Sequence, residues 1–149
     1  MNPERAPITY RGRSLGLLAL VAVQVLVGVI HVLFGFWMLL ASHVESPPVL
    51  GNELFASDVY SVYTVLFSLF TLSFAYALWL KKRVGWVGTV AVAVFVIVAD
   101  SLTLLDLPSV PGIPKFAGFG EITYSLVVLL YLLQGGVRAE FGVRAASSS

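Results

Sequence analysis

Four apolar runs of about 18 to 26 residues, joined by short connections whose charge alternates, constrain this chain more than any other feature. Arg5, Arg11 and Arg13 precede the first run, Lys81, Lys82 and Arg83 sit between the second and third, and Arg138 and Arg144 follow the fourth. The other two connections carry Glu45, Glu53, Asp58 and Asp106, with Lys115 their single base. Cytoplasmic loops are the ones enriched in Lys and Arg. The pattern therefore predicts an all-α, integral membrane four-helix bundle in the cell membrane, with both termini cytoplasmic.

A helix needs about 20 apolar residues to cross the hydrocarbon core, whereas a barrel strand needs about 10 with alternating polarity. Run length thus selects helices, with spans expected at 15–40, 59–80, 84–105 and 116–133. The whole chain, 1–149, reads as a single transmembrane domain, with 1–14 a cytoplasmic segment and 138–149 a disordered cytoplasmic tail. At 58% hydrophobic and 11% charged residues, with mean hydropathy +0.93, the chain is too apolar for a soluble globule, which carries about 25% charged residues. The basic clusters are small and abut apolar runs, as topology determinants do, so nucleic acid is not an expected partner. Cysteine is absent, which excludes disulfides, thiolate metal sites and thiol-redox chemistry. The first run is longer than the 7–15 residues of a signal h-region and lacks a small-x-small cleavage site, so it reads as a retained span.

Local chemistry marks the ends. Trp79 and Trp86 bracket the basic turn, where an aromatic belt is expected, and Tyr10 and Tyr131 fit the same interface. Tyr60, Tyr63 and Trp37 fit the outer one. Ser57 or Asp58 is suited to cap the second helix. Pro108, Pro111 and Pro114 should stiffen the last outer loop, and residues 52–56 suit a short surface turn.

Helical spacing gathers small and polar residues into stripes. Gln24, Gly28, His31 and Gly35 share a face of the first run. Ser61, Thr64, Ser68, Thr71 and Ala75 share one on the second, whose aromatics Phe67, Phe70 and Phe74 are expected to face lipid or a partner subunit. Gly85 and Gly88 lie at the cytoplasmic end of the third run, with Thr89, Ala93, Val96, Asp100 and Thr103 on one stripe beyond them. Glu121, Ser125 and Val128 align on the fourth. Small residues let helix backbones approach, and lone polar groups find partners at such seams. Gln24, Gly28, Gly35, Ser68, Thr71, Gly85 and Gly88 are therefore expected as the packing seam.

Three ionisable residues fall within the runs. Asp100 lies about five residues, or roughly 7–8 Å, from the outer end of the third. A buried membrane Asp costs up to about 2.5–3.5 kcal/mol at the helix centre and is a functional hypothesis by default. His31 lies near the middle of the first run and Glu121 near the outer start of the fourth. Alternating helix directions put all three in the outer half, where they form a candidate proton-linked or ligand site. The plain alternative has Asp100 bonded to a neighbouring Ser or Thr, His31 neutral, and Glu121 capping its helix. A haem would need a partner for His31, and His43 lies too far along the helix. No HExxH, Gly-rich phosphate loop or nucleophile elbow occurs, so no catalytic residue, metal site or cofactor is expected.

The stretch Tyr76-Ala77-Leu78-Trp79-Leu80-Lys81-Lys82-Arg83-Val84-Gly85, followed by Asp100, Leu104-Leu105, Pro108-Ser109 and the end of the last run with Tyr131, resembles an uncharacterised family of small prokaryotic four-span membrane proteins. Ala77 stands where that family tends to have Gly, Trp86 where it often has an acid, and Ser125 where it often has Asn. The resemblance covers the C-terminal half. It implies the four-span topology and an acidic position at Asp100, and it brings no activity with it.

The leading expectation from sequence is a non-enzymatic accessory subunit or homo-oligomer, with membrane lipids and a larger membrane complex or a second copy as partners. The alternatives are a small dimeric transporter or proton-coupled carrier using Asp100 and His31, and a lipid- or cofactor-binding membrane protein.

Overall fold

The computed structural model describes residues 9–10, 13–41, 58–107 and 115–143. Their order is β1 (Thr9–Tyr10), β2 (Arg13–Ser14), α1 (Leu15–Ala41), α2 (Asp58–Trp79), α3 (Arg83–Leu104), α4 (Lys115–Leu132) and α5 (Gly135–Glu140). The four long helices coincide with the four apolar runs to within one residue at each end. β1 and β2 form a minimal antiparallel hairpin, pairing Thr9 with Ser14 and Tyr10 with Arg13.

Three helices are long and apolar enough to cross a membrane: α1, α2 and α3. With 27 residues, α1 is about 40 Å long at 1.5 Å per residue. α4 has 18 residues, about 27 Å, slightly less than the ~30 Å of a hydrocarbon core. Successive helices pack side by side, α1 on α2, α2 on α3 and α3 on α4. α1 and α4 meet through side chains. Near the start of α1 and the end of α4, Tyr131 lies over Gly16 and its hydroxyl is 3.2 Å from Ser14 Oγ.

The chain's polarity is inverted relative to a soluble globule. Gln24, Ser61, Thr64, Ser68, Thr71, Thr89, Asp100 and Ser125 are buried, while Leu26, Leu33, Phe70, Phe119 and Leu130 are exposed. Soluble monomers rarely expose contiguous apolar surface of that extent. On α2 the buried hydroxyls turn back on their own helix: Thr64 donates to the Tyr60 carbonyl at 2.8 Å, Ser68 to Thr64 at 2.5 Å and Thr71 to Phe67 at 3.0 Å. Such i−4 bonds satisfy the hydroxyl proton without a neighbouring helix.

Close approach is concentrated at glycines. A Cβ on Gly35 would stand 2.7 Å from Val65 Cγ2 and 3.3 Å from the Ser61 carbonyl oxygen, and one on Gly28 would stand 2.8 Å from Leu72. Gly85 faces the backbone of Ala77 and Leu78, and Gly88 faces the ring of Phe74. The aromatic side of α2 is therefore not uniformly outward. Phe70 is exposed, but Phe74 covers Gly88, and Phe67 stacks on Tyr63 at 5.5 Å. Phe74 fills space that Gly88 of α3 leaves open, and Phe67 packs toward Phe95 of the same helix.

α2, α3 and α5 end in one way. A residue in the left-handed region, Lys81 (φ 53), Asp106 (φ 57) or Gly142 (φ 66), follows each helix. The next amide donates back five residues: Lys82 to Ala77 at 2.9 Å, Leu107 to Leu102 at 2.9 Å and Val143 to Arg138 at 3.0 Å. This Schellman closure satisfies carbonyls that the helix leaves without partners. Only Gly142 adopts that conformation at no steric cost. Asp106→Gly should raise Tm by a few degrees, since the left-handed conformation costs a non-glycine residue about 1 kcal/mol. The Lys115–Asp106 pair that it deletes is solvent-exposed and contributes little. An unchanged or lower Tm in a detergent melt would contradict this account of the turn.

The C-terminal segment corrects an expectation. Residues 138–143 are not a disordered tail: α5 folds back so that Val137 and Phe141 join a core with Leu17, Val21, Leu78, Val128 and Leu132. Lys81 Nζ pairs with Glu140 at 3.2 Å. The Trp86 indole N–H donates to the Leu132 carbonyl at 2.9 Å, so this Trp ties α3 to the end of α4. Apolar residues at 137 and 141, one turn apart, are what docks the short helix. The proline loop, the 52–56 turn and the cap by Ser57 or Asp58 lie outside the described residues and side chains.

Candidate functional site

His31, Asp100 and Glu121 come from α1, α3 and α4 and converge in the half of the bundle where α1 and α3 end and α4 begins. His31 sits two turns below the last turn of α1 with its Nδ1 2.8 Å from the Val27 carbonyl. A carbonyl only accepts, so Nδ1 carries the proton of that bond. The ring is thereby held with Nε2 turned to Glu121, at 3.6 Å from Oε1. A bare imidazole lone pair and a carboxylate oxygen repel; a proton on either one makes the contact attractive. Both side chains remain about a third exposed, at 32% and 30%.

Asp100 is 1% exposed. It packs against Gly118, where a Cβ would stand 3.4 Å from Asp100 Cβ, and Glu121 lies one turn further along the same face of α4. The Asp100 and Glu121 carboxyls lie within electrostatic range of each other. Two carboxyl oxygens can bond only with a proton between them. Glu121 is thus the centre of the site, with His31 on one side and Asp100 on the other. Asp100 Oδ2 has no hydrogen-bond partner in the protein.

Tyr60 and Tyr63 stand within electrostatic range of both carboxyls. Tyr60 is 5% exposed and packs with Met38 and Ala99. It is therefore part of the bundle's outer core instead of an interfacial anchor. Its position one turn before Thr64 and Ser61's neighbour on the polar stripe was the available signal.

Beneath the three ionisable groups lies a cavity of about 40 Å³ that all four long helices line, with Gln24, Ser68, Thr71, Thr89, Tyr124 and Ser125 among its walls. Gln24 Oε1, the Thr89 hydroxyl and the Tyr124 hydroxyl are buried with no hydrogen-bond partner in the protein. Each such group ordinarily costs about 1–3 kcal/mol, so their collection around one space is not a packing accident of a single residue. Tyr124 stands three residues after Glu121, on the Glu121–Ser125–Val128 stripe, and was legible there.

The seam glycines lie at helix contacts. Gly28 and Gly35 of α1 pack against α2, Gly28 also lining the cavity, while Gly85 and Gly88 hold the α2–α3 hairpin away from the ionisable cluster. Among the described residues no three His, Asp or Glu side chains are grouped as ligands for a metal ion. His43 is outside the described residues. The chain matches no protein-family model, no curated protein and no solved structure.

Proposed function

We propose that this chain is a four-span integral protein of the cell membrane, both termini cytoplasmic, and that it acts as a small proton-coupled carrier. The observation that carries the reading is the meeting of His31, Glu121 and Asp100 from three helices, the first two lining a cavity walled by four. A bundle serving only as a scaffold gains nothing from burying ionisable groups, which cost several kcal/mol in a membrane and usually mark proton or ion pathways. The inverted polarity supports the membrane setting, and the charge alternation supports the orientation. The C-terminal resemblance to four-span proteins agrees with both. α4 completes the count as a short fourth span.

Mechanistically, Glu121 exchanges a proton with His31 Nε2 near the outer side, where both are partly exposed, and passes it to the Asp100 carboxyl, through which every transported proton goes. The position of Glu121 between them allows both transfers without a large rotation. Membrane lipid is the immediate surrounding, and a second copy of the chain is the natural partner for so small a carrier.

Purified protein in liposomes loaded with a pH-sensitive dye tests this. Wild-type protein should dissipate an imposed pH gradient faster than empty liposomes, and Glu121→Gln should slow it at least fivefold. Partial exposure of Glu121 lets water substitute in part, which is why complete loss is not expected. Equal rates for wild-type and empty liposomes, or a wild-type rate for Glu121→Gln, would return the chain to the accessory-subunit reading.

A further inference from the structure

Gln24, Thr89 and Tyr124 lie deeper than His31, Asp100 and Glu121, by about two turns on α1, three on α3 and one on α4 respectively. All three residues line the same cavity that has His31 and Glu121 at its outer end, and their buried oxygens have no partner in the protein. At about 40 Å³ the space is of a size to hold one or two water molecules. Lipid chains offer no hydrogen bonds to these groups. Below this level the interior changes character: Leu17, Val21, Val128 and Leu132 close-pack into a wholly apolar layer. Polar lining resumes only beyond it, in a cytoplasmic-end pocket of about 420 Å³ walled by Ser14, Tyr131, Gln134 and Glu140.

We infer that the central cavity is a binding site for water, a short hydrogen-bonded file held by Gln24, Thr89 and Tyr124, open toward the His31–Glu121–Asp100 end and stopped by the Leu17–Val21–Val128–Leu132 layer. The species the bundle admits is thus water or a hydrated proton. This rests on the membrane-spanning part of the proposed function, but not on proton coupling.

The absence of cysteine makes single-cysteine variants clean reporters. Ser125 lines the cavity and is 2% exposed, whereas Val127 on the next face is 60% exposed toward the surroundings of the bundle. Silver ion, small enough to follow water, is added to right-side-out or inverted membrane vesicles. Thiols left free are then alkylated after denaturation and measured by mass. Ser125→Cys should be blocked at least tenfold faster than Val127→Cys from the outer side, and no faster than Val127→Cys from the cytoplasmic side. Thr89→Cys, run in parallel, guards against misfolding of one variant and should behave alike. If both react no faster than Val127→Cys, or react faster from the cytoplasmic side, the inference is overturned. Reactive cavity thiols in a protein that moves no protons would remove the carrier reading and leave the water site standing. Proton flux with unreactive thiols would do the reverse.

Discussion

Asp100→Asn should reduce proton flux at least a hundredfold, to the liposome background, while leaving Tm within about 3 °C of wild type. The two halves of that result separate function from structure. Asp100 is 1% exposed and its Oδ2 has no partner in the protein, so an amide of nearly the same shape keeps the packing against Gly118. What it loses is the capacity to accept and release a proton beside Glu121. Because the position is fully buried, water cannot replace it, and the effect should exceed that of Glu121→Gln. Residues held for function commonly contribute little or negatively to stability. A buried acid held for structure would show the opposite signature: breaking its interactions would cost about 3 kcal/mol or more, lowering Tm by several degrees with flux unchanged. Flux in dye-loaded liposomes and a melt in detergent, on one preparation, decide between the two.

Gly85→Val should be the most damaging single substitution at a helix–helix contact. At Gly85 the obstructing atoms are backbone, the Leu78 amide and the Ala77 carbonyl carbon, whereas at Gly28 and Gly88 they are the side chains of Leu72 and Phe74. A side chain can change rotamer; the Schellman turn that fixes Ala77 and Leu78 cannot yield without breaking the Lys82-to-Ala77 and Lys81-to-Leu78 bonds, both 2.9 Å. Overpacking typically costs about 1–3 kcal/mol, and the upper end applies here, equivalent to a fall in Tm of roughly 10 °C. The control is Gly120→Ala, where nothing lies within 4 Å of the added Cβ. Alanine is the better helix former by about 1 kcal/mol, so that variant should melt slightly higher than wild type. Similar losses at Gly85 and Gly120 would mean that propensity, not the hairpin contact, explains the first.

Some of this architecture is readable one residue at a time. Helix extents follow from apolar run length, because a backbone in hydrocarbon must satisfy its own hydrogen bonds and cannot stop midway. The stripe Glu121–Ser125–Val128 follows from helical spacing alone. Other features depend on partners that spacing does not reveal. Tyr60 and Trp86 look like interfacial anchors by position, yet Tyr60 is buried against Met38 and Ala99, and the Trp86 indole is committed to the Leu132 carbonyl. Phe74 belongs to an aromatic face but is needed over Gly88, where glycine leaves a ring-sized gap. α5 is only 6 residues long, too short for periodicity to distinguish it from a tail.

Composition and pattern by themselves therefore determined where the helices lie, which side chains lie on one face, and which three ionisable residues share a half of the bundle. These are properties of one helix, or of charge and length, and need no knowledge of neighbours. Tertiary structure alone decided that Glu121 stands between His31 and Asp100, that Gln24, Thr89 and Tyr124 surround one cavity, and that an apolar layer closes it below. Those relations depend on the rotation of each helix about its axis and on its axial offset from the next. Glycine contacts and left-handed turns fix both, through distances between residues far apart in the chain.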